Sequence, residues 1–262
     1  MQKIKFYKYH GTGNDFILID NIKGKISGIT KEQIAYLCNR HLGIGADGLM
    51  FLNKSEKYDF EMDYYNSDGS GATMCGNGGR CIVAFAKKLG IITDKALFTA
   101  SDGLHKAFID DKNIVKLKMA DVANVDTILK DYFCNTGSPH YVKFINDVNN
   151  FDVYNNGKKI RYSDKYKATG TNVNFVEQLK NNEIFVRTYE RGVEEETLSC
   201  GTGVVASALT FFKTNNLKSG ICKVKTLGGN LTVTADRVGE GYSQIWLEGK
   251  ATFVFYGEII LE

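Results

Sequence analysis

Met74-Cys75-Gly76-Asn77-Gly78-Gly79-Arg80-Cys81-Ile82-Val83-Ala84-Phe85-Ala86 sets a cysteine before a glycine-rich turn that runs straight into an apolar, helix-like segment. The same device returns late in the chain as Ser199-Cys200-Gly201-Thr202-Gly203-Val204-Val205-Ala206-Ser207-Ala208-Leu209. Both copies read Cys-Gly-(Asn/Thr)-Gly followed by small and apolar residues. An aromatic-polar cluster precedes each: Tyr65-Asn66-Ser67-Asp68-Gly69 and Tyr189-Glu190-Arg191-Gly192. A helix that is apolar or small on every side is buried. Lys87-Lys88-Leu89-Gly90 ends the first, with basic residues at the negative pole and glycine past the end. The second ends near Lys213 and Asn215-Asn216. The repeat predicts two lobes, each wrapping strands around one central helix.

A cysteine in that position has a chemical use. The first turn of a helix carries unpaired N–H groups and the positive end of the macrodipole, which favour thiolate over thiol. Glycines let a ligand approach those N–H groups, which form a site for a carboxylate or phosphate. Two such turns meeting would hold one anion between two thiols. A carbon bonded to that anion would then have a proton acceptor on one side and a donor on the other, the arrangement that inverts a stereocentre next to a carboxylate. Cysteine more often serves as a small buried hydrophobe, and either turn alone reads as structural. The pair in matching context reads as catalytic.

The 262 residues could form one large domain or two small ones, and the repeat favours two. The expected division is residues 1–117, completed by the last strand at about 253–262, and residues 118–252. A balance of 33 basic against 30 acidic side chains, net +3, gives no case for a nucleic-acid or membrane-surface partner. No apolar run approaches the ~20 residues of a membrane span. Met1-Gln2-Lys3-Ile4-Lys5-Phe6 alternates like a strand and lacks the apolar core of a signal peptide, so a cytoplasmic location is expected. The cysteines Cys38, Cys75, Cys81, Cys134, Cys200 and Cys222 form no C-x-x-C pair; reduced thiols and no metal site are expected.

Residues 3–9 read as a strand, His10-Gly11-Thr12-Gly13-Asn14-Asp15 as a turn and Phe16–Asp20 as a buried strand. Thr30 with Gln33 three residues on is a capping box for a helix to about Arg40. His41–Gly48 is a glycine-rich loop before the strand Leu49–Leu52, and Phe60–Asn66 alternates. Short alternating runs follow at 96–100, 105–109 and 114–119. In the second half strands are predicted at 141–145, 174–178, 184–189, 222–226, 230–234, 244–247 and 252–256, with Asn146 to Lys159 a loop.

Taken together, His10-Gly11-Thr12-Gly13-Asn14-Asp15-Phe16, Asn66-Ser67-Asp68-Gly69, Cys75-Gly76-Asn77-Gly78-Gly79-Arg80-Cys81, Gly137-Ser138-Pro139-His140, Asn172, Glu190-Arg191-Gly192 and Cys200-Gly201-Thr202-Gly203 resemble the diaminopimelate epimerase family, in order and over essentially the whole chain. The resemblance implies an α+β fold of two pseudo-symmetric lobes, each a mostly antiparallel, barrel-like sheet around a central helix. It implies epimerisation of LL-diaminopimelate to meso-diaminopimelate, without a cofactor, in lysine and cell-wall precursor synthesis. Cys75 and Cys200 would transfer the protons. Backbone N–H groups at Gly76, Asn77, Gly201 and Thr202 would hold the reacting carboxylate. Asn14, Asn66 and Asn172 would bind substrate amino and carboxylate groups, Arg191 would clamp the distal carboxylate, and Glu190, also among the substrate-binding residues, and His140 would lie near the cysteines and adjust their protonation. Ser138 departs from the asparagine that many members carry, and Gly48 from the glutamine that some carry. His10 is assigned to structure. His41, His105, Cys38, Cys81, Cys134 and Cys222 are assigned to packing or surface.

The expected partners are a small-molecule substrate and, in a homodimer, a second copy of the chain. Two rival readings stand beside this one. The first is a racemase of proline, hydroxyproline or histidine on the same scaffold, against which Arg191 and the asparagines argue. The second is a dithiol redox sensor or small-ligand binding module.

Overall fold

The computed structural model describes residues 2–180 and 182–261; of the expected lobe spans, the end residues 1 and 262 fall outside that description. The chain divides into two compact units, Met1–Leu117 with Lys250–Glu262, and Lys118–Gly249.

The first unit contains β1 (Gln2–Gly11), β2 (Asn14–Asn21), α1 (Lys31–Cys38), β3 (Gly48–Asn53), β4 (Phe60–Asn66), β5 (Gly71–Ala72), α2 (Gly76–Lys88), β6 (Lys95–Ala100), β7 (Gly103–Ile109) and β8 (Ile114–Lys118), with the C-terminal strand β18 (Thr252–Leu261). The strands pair in the succession β18, β1, β2, β3, β4, β6, β7, β8. The β2/β3 and β4/β6 pairs are parallel and the others antiparallel. The capping box forms: the Thr30 side chain accepts from the Gln33 N–H, and the Gln33 side chain accepts from Thr30 N–H. The helix stops two residues before Arg40, because Asn39 turns to extended backbone and its side chain takes up the N–H groups of His41 and Leu42. Ile34 and Leu37 pack with Ile17, Ile19, Leu49 and Phe51 into one core. From Gly76 to Ala86 every residue of α2 is buried; all-round apolarity predicts this for Cys81–Ala86, whereas Asn77 and Arg80 are buried polar side chains.

The second unit contains β9 (Val125–Ile128), β10 (Asp131–Asn135), β11 (Pro139–Phe144), α3 (Val153–Arg161), β12 (Asn172–Gln178), β13 (Glu183–Glu190), β14 (Glu195–Thr197), α4 (Gly201–Thr214), β15 (Ser219–Thr226), β16 (Gly229–Val238) and β17 (Gly241–Lys250). Its succession is β9, β10, β11, β12, β13, β15, β16, β17, with β11/β12 and β13/β15 parallel and the rest antiparallel. That is the order of parallel and antiparallel pairs found in the first unit. A helix also follows the first strand of the first parallel pair in each, α1 between β2 and β3 and α3 between β11 and β12. The internal repeat seen in the two cysteine turns therefore extends to the whole topology, and the fold is α+β with a central helix in each unit.

The expected loop over 146–159 is a correction. Asp152 accepts from the Asn155 N–H at 3.0 Å and caps α3. The signal was masked because most of that helix is Asn and Lys facing solvent; only its narrow buried face, Val153 and Gly157, meets β12 and β13. A Cβ on Gly157 would lie 2.4 Å from the Cβ of Tyr189, so this helix touches its strand through a glycine. The short strands β9 and β10 also escaped the pattern, being five residues or fewer with weak alternation.

Candidate active site

In the first unit Cys75 is the N-cap of α2, with extended backbone, and its Sγ accepts from the Gly78 N–H at 3.2 Å. Gly78 brings the turn close against β3: a Cβ there would lie 2.2 Å from Cε of Met50, the far end of a flexible side chain. The turn is tied to the β1–β2 hairpin. Thr12 sits at the tip with φ 54, a left-handed conformation costly for a β-branched residue, and Gly13 follows at φ 87. The Asn77 side chain gives Nδ2–H to Asn14 Oδ1 at 3.2 Å, and Asn14 Nδ2 gives to Asp47 Oδ2 at 2.7 Å. Arg40 bonds Asp15 through both Nη atoms at 3.1 and 2.7 Å and reaches Asp47 at 2.7 Å. Lys8 pairs with Asp15 at 2.7 Å. Burial alone would raise the Asp15 pKa, but Arg40 and Lys8 hold it well below the usual carboxylate range. The amide of Asn14 is thus oriented from both sides. Asn66 closes the exposed turn after β4, giving Nδ2–H to Ser70 Oγ at 3.2 Å.

In the second unit Cys200 is the N-cap of α4 and 8% exposed. Its Sγ lies 3.5 Å from Thr202 Oγ1. Behind Thr202 runs a buried chain. Asn174 Nδ2 donates to His140 Nδ1 at 3.1 Å and to the Tyr141 carbonyl at 3.0 Å, and its Oδ1 accepts from Thr188 at 3.0 Å. With Nδ1 accepting, the His140 proton is on Nε2, which donates to Thr202 Oγ1 at 3.0 Å. Burial, with the Arg191 cation nearby, pulls the His140 pKa down to about 3, so the ring is neutral at neutral pH. Its contact with Cys200 runs through Thr202. Thr136 Oγ1, at the turn before β11, donates to the Thr202 carbonyl at 3.0 Å. Thr12 and Thr136 thus hold corresponding hairpins, each against its own cysteine turn.

Asn172 is 3% exposed. Its Nδ2 donates to Ser138 Oγ at 2.9 Å and to the Pro139 carbonyl at 3.0 Å, while Oδ1 accepts the Arg191 N–H at 2.9 Å. It anchors the Arg191 backbone and keeps one lone pair on Oδ1. Ser138 Oγ also lies 3.5 Å from Arg191 Nη2, and Arg191 Nη1 donates to the Thr169 carbonyl at 3.1 Å. The exposed guanidinium has no carboxylate partner among the described residues. Glu190 Oε2 accepts from Thr197 at 2.8 Å. At Gly48 a Cβ would lie 2.6 Å from Cε2 of Tyr64 and 2.7 Å from the Tyr65 carbonyl, so the Tyr64 ring fills the space of a longer side chain.

The strand registers align the two halves. Phe16 pairs with Gly48 at the start of β2/β3, and His140 with Asn172 at the start of β11/β12. Phe16 therefore corresponds to His140, Gly48 to Asn172, and Met50 to Asn174. Thr12, Arg80 and Asn174 are site residues with no role evident from sequence alone, and only this correspondence singles Asn174 out. The other cysteines are pushed up by burial, Cys38, Cys134 and Cys222 to about 12 and Cys81 further, so they stay thiols. Among the described residues no helix is long and apolar enough to cross a membrane.

A family model described as diaminopimelate epimerase matches residues 6–125 and 132–254. The chain is 50% identical to the diaminopimelate epimerase of Flavobacterium psychrophilum over 96% of its own length and 98% of that protein's. It is 42% identical to that of Chlorobaculum tepidum over 96% and 99%. A Bacillus anthracis phenazine biosynthesis protein of the PhzF family has a similar fold, with a TM-score of 0.76 over 100% of both chains at 15% identity. A probable proline racemase from Agrobacterium radiobacter follows at 0.68, covering 99% and 93%, with 16% identity.

Proposed function

This chain belongs to the diaminopimelate epimerase family, and on that premise we propose that Cys75 and Cys200 are the two proton-transfer residues of its reaction. The enzyme is an isomerase that interconverts LL- and meso-diaminopimelate, a step of lysine biosynthesis. One observation supports the two-thiol reading above the rest. The chain repeats a whole topology and keeps at the same point of each copy a cysteine at the N-cap of a buried helix.

In the proposed mechanism one thiolate removes the α-proton. The charge left on carbon is delocalised into the neighbouring carboxylate, which the N–H groups of Gly76, Asn77, Gly201 and Thr202 stabilise. The opposite thiol then gives its proton to the other face of the carbon, and the two sulfurs end with their protonation exchanged. Asn14, Asn66, Asn172 and Glu190 would orient the amino acid head, and Arg191 would take the distal carboxylate by a bidentate pair. In this reading His140 supports Cys200 through Thr202, as an orienting group that stays uncharged.

The test is deuterium entry at the α-carbon of LL- and meso-diaminopimelate in heavy water, with no cofactor added. The expected result is exchange with both isomers, lost in Cys75→Ser and Cys200→Ser. A Cys75→Ser protein exchanging at the wild-type rate would defeat the mechanism.

Two finer readings go with it. A reducing compartment would keep the two thiols from joining as a disulfide, which supports a cytoplasmic location. A homodimer is supported by β18, which exposes Val254, Phe255, Tyr256 and Ile260, an apolar stretch of the kind that marks protein contacts. Light scattering of wild type and Tyr256→Glu reads it: a dimer that the substitution dissociates is expected, and a monomeric wild type refutes it.

A further inference from the structure

The two cysteine turns share a backbone plan and differ in what lies beneath them. Under α2 is Arg80, 0% exposed. Its Nη1 donates to the Gly76 carbonyl at 3.0 Å, and its Nη2 to Thr12 Oγ1 at 3.2 Å and to Asn77 Oδ1 at 3.1 Å. Every one of those acceptors is neutral, and Nε has no hydrogen-bond partner. Burial lowers the Arg80 pKa to about 10, which still leaves a cation at neutral pH. Buried arginine is normally matched by a carboxylate, because an unpaired charge away from water is costly. Here the nearby acids are taken. Asp15 pairs with Lys8 and Arg40, Asp47 with Arg40, and Asp102 contacts His105. Cys81, next along α2, is a buried thiol.

The corresponding place in α4 is Val205, since Cys75 aligns with Cys200. Beneath that turn are His140 and Asn174, a polar pair with no formal charge, where the first unit has Phe16 and Met50; the cation near His140 is Arg191, which is exposed where Arg80 is buried. The sulfurs differ as well. Cys75 Sγ accepts a backbone N–H of its own helix, whereas Cys200 Sγ makes no such cap bond.

We propose that Arg80 is the fixed counter-charge of the Cys75 half-site, so that Cys75 rather than Cys200 carries the thiolate before substrate binds. This rests on the two-thiol reading for its role in turnover. Arg80 acts as a positioning residue. Its bond to the Gly76 carbonyl ties it to the first turn of α2, where its charge favours an anion at the cap. Its bonds to Thr12 and Asn77 keep the hairpin tip and the Asn77 amide in place. Arg80 thus makes chemically unlike two turns that the duplicated sequence began alike. Before substrate arrives, one sulfur is ready to accept a proton and the other still holds one.

Single-cysteine proteins test this without any turnover. Cys200→Ser leaves Cys75 and Cys75→Ser leaves Cys200, and the four buried thiols titrate too high to interfere. Iodoacetamide rates and the ultraviolet thiolate band are followed against pH. Cys75 is expected to alkylate faster than Cys200 at and below about pH 7. In the Cys200→Ser background, Arg80→Gln should move the Cys75 midpoint up by about one pH unit and slow alkylation at neutral pH about tenfold. Arg80→Lys, which keeps the charge, should stay within about twofold of the parent. Arg80→Gln in the Cys75→Ser background should leave Cys200 unmoved. The proposal is overturned if Cys200 ionises first in proteins with native Arg80, if Gln leaves Cys75 unchanged, or if Lys falls as far as Gln. The first comparison needs no Arg80 variant, so a misfolded one cannot shield the idea. Thiol asymmetry with no isotope exchange would instead sink the two-thiol reading and leave Arg80's effect on Cys75 standing.

Discussion

Gly203→Ala against Gly78→Ala is the comparison that weighs the two turns directly. Both glycines stand third after the cap of a buried helix, and both would gain about 1 kcal/mol of helix propensity from alanine. Beyond that they part. At Gly78 the new methyl would meet Met50 Cε at 2.2 Å, the far end of a flexible side chain that can swing away. At Gly203 it would meet Asn174 Oδ1 at 2.4 Å and His140 Cε1 at 3.3 Å. Asn174 is 0% exposed and cannot yield: His140, the Tyr141 carbonyl and Thr188 all hold its amide. Relief there means overpacking, about 1–3 kcal/mol, plus at least one buried hydrogen bond left unmade, about 1–3 kcal/mol more. Net of propensity, Gly203→Ala should lose about 1–5 kcal/mol and Gly78→Ala about 0–1. At the midpoints of those ranges the variants differ by about 2.5 kcal/mol, and at roughly 2–4 °C per kcal/mol for a chain of this size their melting temperatures should differ by roughly 5–10 °C. Scanning calorimetry on both, with urea midpoints alongside, reads the difference. Equal melting temperatures would refute the claim that α4 is seated on a polar chain that cannot move.

Three further outcomes follow from the same contacts. The His140 pKa of about 3 lies below the value near 6.5 of an unfolded histidine, so below pH 6.5 the unfolded chain binds a proton that the native one refuses. The stability this represents is complete above pH 6.5 and falls by about 1.4 kcal/mol per pH unit beneath it. Urea titrations from about pH 7 to 4 should show that extra slope in wild type and its absence in His140→Gln, and parallel curves would contradict it. Arg191→Leu removes the guanidinium proposed to meet the distal carboxylate, a charge-assisted pair worth about 3–4 kcal/mol, and should cut kcat/KM on diaminopimelate by two to three orders of magnitude; near-wild-type turnover would rule out the clamp. Arg187 grips both oxygens of Glu196 at 2.6 and 2.7 Å and the carbonyls of Val148, Asn149 and Phe151. Lysine cannot reproduce that fork, so Arg187→Lys should cost about 2–4 kcal/mol of unfolding free energy in urea.

How far the sequence could be read depended on whether a residue's partner was local. The capping box at Thr30 and Gln33, the cysteine caps and the two central helices are set by neighbours within four positions, and each was visible as a pattern. Helix α3 was not, because burial of Val153 and Gly157 against β12 and β13 decides it, and no stretch of Asn and Lys announces a distant strand. The candidate site divides the same way. Cys75 and Cys200 stood out because the chain writes the same word twice. Asn174 did not, since a lone asparagine in a strand acquires meaning only when the β11/β12 register sets it beside His140 and beneath Gly203. Arg80 lies inside the first cysteine stretch, five residues after Cys75. What no spacing could convey is that this cation is wholly buried and that the acids around it are engaged elsewhere, which is a property of packing rather than of order along the chain. A repeat in sequence therefore locates such a site well, and the places where its two copies differ, Arg80 against Val205 and Met50 against Asn174, mark where the chemistry of the halves has to diverge.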